Sequence, residues 1–212
     1  MKISYREIVL SFLFIPLVAN AAELVPIPTE DALGLGRKLV EQAAKIATPQ
    51  ITINAEVEKA NGVHVQRKMG ILVIPQKDLK ESEELAAKFK TDSGASLAYL
   101  FLHHLVPVVD GKRIDEKKLR SVTITDKDGA SHTVHVLLLA IRQPSPDDYR
   151  LYAYGQDAKP IVDAKFAEGA GPGPEPVAVE VKNPNESTHE GTIAITVFGK
   201  YQATFTGAYT GE

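Results

Sequence analysis

Arg120-Ser-Val-Thr-Ile-Thr125 and Ser131-His-Thr-Val-His-Val-Leu-Leu-Leu-Ala-Ile141 are the segments on which the fold turns. Both are rich in strand-favouring residues, and Asp126-Lys-Asp-Gly129 between them supplies turn chemistry, so they read as an antiparallel hairpin. A two-residue Asp128-Gly129 loop would set Val122 opposite His135 and Ile124 opposite Thr133. A three-residue Lys127-Asp128-Gly129 loop sets Val122 opposite Val134 and Thr123 opposite Thr133. Only the second keeps each face consistent, and its glycine falls where a left-handed residue is needed. The three-residue loop is therefore expected.

Downstream, Gln143 to Asp148 reads as a turn and Tyr149 to Tyr154 as a strand. Glu168 to Pro176 is a break rich in glycine and proline. Val177 to Val181, Thr192 to Val197 and Tyr201 to Tyr209 then alternate as three strands. A two-residue Gly199-Lys200 turn would put Ile193, Ile195 and Val197 on the face of Thr206, Thr204 and Gln202. A three-residue Phe198-Gly199-Lys200 loop instead pairs Val197 with Tyr201, Ile195 with Ala203 and Ile193 with Phe205. One face is then apolar and the other mostly threonine, so this register is expected, with the Ile193–Phe205 face turned inward.

Upstream, Thr29 to Ala47 has helical spacing in Leu35, Leu39, Ala43 and Ile46. Thr29 is its expected N-cap, and Pro49 its stop. Gln50 to Glu58 and Val63 to Ile74 read as strands joined at an Asn61-Gly62 turn. A second helix is expected from Asp78 to Lys90, with Asp78 and Glu81 as a capping box. Leu97-Ala-Tyr-Leu-Phe-Leu-His-His-Leu105 is apolar all round and lacks valine, isoleucine and threonine. It reads as a buried helix in preference to a central strand. The expected fold is α+β: a mainly antiparallel twisted sheet with two or three helices on one face and a C-terminal three-stranded β-meander. Residues 22–212 form one domain in this reading, with 177–212 docked after the linker at 168–176.

Lys2 and Arg6, the apolar run Ile8 to Val18, and Ala19-Asn20-Ala21 occur in the order of an export signal, with cleavage expected before Ala22. The expected location is the periplasm or the extracellular medium, with no membrane span after cleavage. The 212-residue chain has 24 basic and 27 acidic residues, a formal charge of −3. Without Lys2, Arg6 and Glu7 the balance is 22 against 26. That charge leaves no electrostatic footprint for nucleic acid. Cysteine is absent, which excludes disulfides, thiolate metal sites and cysteine nucleophiles.

Six histidines invite a metal reading. His132 and His135 are three apart in an expected strand, so their rings point to opposite faces and cannot share one ion. The His103-His104 pair is expected to diverge in either a helix or a strand. No metal and no cofactor is therefore expected. Asp126-Lys-Asp-Gly129 begins like a calcium loop but lacks its remaining ligands, and a turn explains it. Gly34-Leu-Gly36 and Gly169 to Gly173 fail as phosphate-binding loops. No nucleophile elbow or serine–lysine motif occurs. Asn185-Glu186-Ser187 matches a glycosylation sequon.

Tyr201, Phe205 and Tyr209 share one face of the final strand, opposite Thr204, and these four residues are the candidate surface for a ligand or partner. The expected function is non-catalytic binding of a macromolecule or small ligand outside the cytoplasm, with β-edge pairing or a homo-oligomer as a further mode of association. The alternative is an exported hydrolase whose site is assembled from dispersed residues. It requires a pocket holding a histidine within reach of a serine or carboxylate. A third reading is histidine-based metal handling, which requires three converging ligands.

Overall fold

The structure, a computed structural model, describes residues 24–46, 51–65, 69–92, 94–126, 129–169 and 173–211. The expected export signal with its Ala21–Ala22 bond lies outside these residues, as do Ala47, Pro49, Lys127, Asp128 and 170–172. The chain begins with β1 (Leu24–Pro26), α1 (Thr29–Ala43), β2 (Asn61–Val65), β3 (Met69–Pro75) and α2 (Glu83–Phe89). It continues through β4 (Ala95–His103), β5 (Leu105–Val109), β6 (Lys112–Arg113), β7 (Arg120–Thr125) and β8 (Ser131–Ser145). β9 (Asp148–Tyr154), β10 (Pro160–Lys165), β11 (Ala167–Glu168), β12 (Val177–Asn185), β13 (Glu190–Val197) and β14 (Tyr201–Tyr209) complete it.

These strands form two antiparallel sheets. The first runs β1-β2-β3-β4-β8-β9-β10, with β7 pairing the first part of β8. The second runs β12-β13-β14-β5-β6, with β11 beside the start of β14. Their facing sides share one core, in which Ile71, Leu100, Leu102, Leu137, Leu139 and Leu151 meet Val177, Val179, Ile193, Ile195 and Phe205. The other face of the first sheet carries Leu72, Ile74, Phe101, Val136 and Leu138, which bury Ala32, Leu39 and Ala43 of α1. The architecture is thus α+β and mostly antiparallel. α1 covers the outer face of the first sheet, while Leu85 and Phe89 of α2 pack against the core between the sheets. The two helices therefore belong to different faces.

Two registers follow the alternation of the sequence. Val122 pairs with Val134 and Thr123 with Thr133, and Gly129 takes a φ of +83°. Val197 pairs with Tyr201, Ile195 with Ala203 and Ile193 with Phe205. The C-terminal strands do not end the sheet, because β14 pairs onward with β5 from Leu105 to Val108.

Five expectations are corrected. Leu97 to Leu105 is not a helix: it supplies most of β4, a corner at His104 and the first residue of β5. Leu100 and Leu102 face one core while Tyr99 and Phe101 face the other, so burial on both faces produces an unbroken apolar run. Packing overrides the missing β-branched residues.

Asn61-Gly62 is not a turn but the start of β2, opposite Val73 and Leu72. A side chain at Gly62 would come within 2.1 Å of the Ile71 carbonyl oxygen, so close backbone approach fixes this glycine. Gln50 to Glu58 is not a strand. Ile51 and Ile53 are buried, yet only Ala55 bridges to Gln76, and Val57–Lys59 is a 3₁₀ turn. Side chains meet the backbone there instead of a ladder: Asn54 N donates to Gln76 Oε1 at 2.8 Å, and Ser96 Oγ to the Thr52 carbonyl at 2.7 Å.

The second helix begins later than its spacing suggests. Ser82 caps it, accepting from Leu85 N at 3.2 Å, while Asp78 sits at a φ of +56° in the preceding turn. At α1 the residue before the helix is Pro28, with no side-chain cap, and Thr29 is the first helical residue.

Candidate functional site

The register of the second sheet determines where its core stops. On the inner face Ile193–Phe205 is followed by the directly opposed pair Gly191–Gly207. Neither carries a side chain of its own, and across from this part of the wall the first sheet presents Leu24, Val63, Val65, Met69 and Ile71. Sheets pack about 10 Å apart, and removing one layer of side chains leaves a slot between them. The slot is a cleft of about 510 Å³, closed at its base by Leu105, Val181 and Ile193. A Cβ at Gly207 would lie 2.6 Å from Ile193 Cδ1, and one at Gly191 would lie 3.2 Å from Val181 Cγ1. Ile193 and Val181 thus lean over the two glycines, and a larger residue at either position would have to displace them.

The rim comes from the β12–β13 connection and the end of β14. Asn185 Oδ1 accepts from Ser187 N at 2.9 Å, Ser187 Oγ at 2.7 Å and Thr188 N at 3.1 Å, which fixes the connection as an Asx turn. The sequon asparagine is thus engaged in local structure. His189, at a φ of +56°, and Tyr209 face each other across the rim, with ring centroids 6.4 Å apart.

From Tyr209 a row of partly exposed rings runs along the His104 corner. His104 lies 6.4 Å from Tyr209, His103 lies 4.1 Å from His104, and His132 lies 5.5 Å from His103. The His103 and His104 rings do not diverge as expected. His104 has a φ of +55°, which is neither helix nor strand, and this corner carries the chain from the first sheet to the second. Its carbonyl accepts from Thr210 N at 2.9 Å. His103 Nε2 is buried with no hydrogen-bond partner among the described residues. Burial, then the neighbouring His104 and His132, push the His103 imidazole down to about 4.

A second polar group sits between β7 and β8. Ser121 Oγ is 2.9 Å from His135 Nδ1, and Glu116 Oε2 is 3.9 Å from His135 Nε2. Burial lowers the basicity of this imidazole, and Glu116 partly restores it. Ser121 and His135 are directly opposed cross-strand residues, and the carboxylate is beyond hydrogen-bond length. None of the three lines the cleft, nor the second cavity of about 470 Å³ beside α2.

His132 pairs across from Ile124 on the outer face and bonds Asp126 Oδ2 at 3.0 Å, whereas His135 points to the other side with Ser121. Among the described residues no group of three histidine or acidic side chains could hold a metal ion. Asp126 Oδ1 accepts from Ala130 N at 2.9 Å, as a turn residue does.

Of the four residues singled out on β14, only Tyr209 reaches the cleft. Phe205 is 8 % exposed and belongs to the core between the sheets, while Tyr201, at 38 %, and Thr204 are exposed elsewhere on the strand. The cleft itself was missed from the sequence, although its signal is there. Once Ile193 pairs with Phe205, two residues further along each strand Gly191 must face Gly207. Comparison with protein-family models, curated proteins and solved structures found no match.

Proposed function

We propose that this chain is a non-catalytic binding protein that acts outside the cytoplasm and holds a small apolar ligand in the cleft between its two sheets. One observation carries the reading: the inner faces separate at the Gly191–Gly207 pair, where a continuous core would otherwise close. A cavity of this volume lies within the range of about 300–1,000 Å³ typical of small-molecule sites, and its walls are mainly apolar, with His64 and Glu190 also lining it. Such a site takes the apolar body of a ligand between the sheets and leaves any polar end at Asn185, His189 and Tyr209.

The N-terminal pattern of basic residues, apolar run and Ala19-Asn20-Ala21 supports the export half of the proposal. The hydrolase alternative finds its histidine–serine contact at His135 and Ser121, but away from either cavity, so binding is preferred. The test is titration with the neutral fluorescent probe N-phenyl-1-naphthylamine, comparing the parent with Gly191→Val. Saturable binding by the parent that the variant loses supports the reading. Equal binding by both places the ligand elsewhere.

A further inference from the structure

The ring row joins a half-buried imidazole to the wall of the cleft. His103 ends β4, His104 turns the corner between the sheets, and Tyr209 stands on the cleft rim against His189. The His104 carbonyl and the Thr210 amide tie the corner to the end of β14, and the Tyr209 amide donates to the His189 carbonyl at 2.8 Å. The corner is thus joined to the end of β14, which the ladders to β13 and β5 also hold.

The charges around His103 come from every neighbouring element. His104 adjoins it, and His132 of β8 meets it edge to face. His64 of β2 shares its cross-strand row through Gly70, which has no side chain to separate the rings. His135 lies on the opposite face of β8. Among the described residues, Asp126 bonds His132 of this cluster and the Ala130 amide, and Glu116 lies beside His135. Adding protons here places like charges about 4–6 Å apart in a half-buried site where, among the described residues, His103 Nε2 has no hydrogen-bond partner.

We propose that acid releases the ligand from the cleft by charging the imidazole cluster at the His104 corner, so that the corner opens and Tyr209 leaves the rim. This rests on the cleft being the binding site. Repulsion between His103 and its neighbours is relieved when the His104–Thr210 connection breaks, and the β14 end that forms the wall moves with it. The low basicity of His103 accords with this arrangement, because the closed corner disfavours its protonated form.

Two measurements on the full mature chain separate this inference from the site itself. The first is N-phenyl-1-naphthylamine affinity at about pH 7.5 and about pH 4.5, with an expected loss of about tenfold or more in the parent. His103→Phe removes the half-buried base, and His104→Asn keeps a residue that tolerates the left-handed corner. Both variants should bind as the parent does at the higher pH and retain at most about half of the acid response. The second is hydrogen exchange at Thr210, corrected for its intrinsic rate. Its protection should fall on acidification in the parent while amides of the β4–β8 pairing stay protected. No probe binding at either pH would remove the cleft reading, and Thr210 exchange would still decide the switch. Unchanged affinity and unchanged Thr210 protection across this pH range would overturn it. So would an acid response that persists undiminished in both variants.

Discussion

The side-chain amide of Asn61 occupies the place of a strand beside Val179. Its Oδ1 accepts from the Val179 amide at 3.2 Å, and its Nδ2 donates to the Val177 carbonyl at 2.9 Å. One residue of the first sheet thus satisfies the free edge of β12 in the second. Asn61→Ala should cost about 1–3 kcal/mol, since it strands two partly buried backbone groups. Urea denaturation measures it, and a change below about 0.5 kcal/mol would mean that water replaces the amide.

Phe205 and Thr204 are neighbours on β14 with opposite fates. Phe205 packs opposite Ile193 in the core, and Thr204 is exposed. Phe205→Ala should cost about 3–5 kcal/mol, and Thr204→Ala should stay within about 0.5 kcal/mol. Similar losses at both positions would show that the sheet is buried on both faces or that Thr204 meets a partner.

Stability should depend on pH through His103. Its folded value is held near 4, while the unfolded chain keeps the ordinary 6.5, so the unfolded state binds more protons between these limits. The contribution is complete above pH 6.5 and disappears as pH falls towards 4. After screening by solvent it amounts to about 1–2 kcal/mol. Thermal melts of His103→Phe should lose that part of the slope, and an unaltered slope would assign the acid sensitivity to other groups.

Mature material recovered from outside the cytoplasm should begin at Ala22, because Ala19 and Ala21 occupy the small positions before that bond. N-terminal sequencing decides it, and a retained Met1 on such material would contradict the export proposal.

What could be read from the sequence follows physical lines. Hairpins with one apolar and one polar face declare their register, as Val122–Val134 and Ile193–Phe205 do, because a one-residue slip would reverse every side chain. β4 could not be read in that way. With Tyr99 and Phe101 facing one core and Leu100 and Leu102 the other, alternation vanishes. Asn61-Gly62 misled for a different reason: the pair has turn chemistry, but here the asparagine bonds β12 and the glycine admits a neighbouring backbone. The site depends on relationships between strands distant in sequence. Gly191 and Gly207 look like ordinary strand interruptions until they face each other, and His103 and His104 converge only because the chain turns a left-handed corner between them.

The cleft is tested most directly by methyl-resolved NMR during titration with N-phenyl-1-naphthylamine at neutral pH. The expected result is saturable shifts at Met69, Ile71, Val181 and Ile193, which line the cleft, with none at Leu79 or Leu85 beside the second cavity. Shifts confined to Leu79 and Leu85, or to the Thr204 face of β14, would contradict the account.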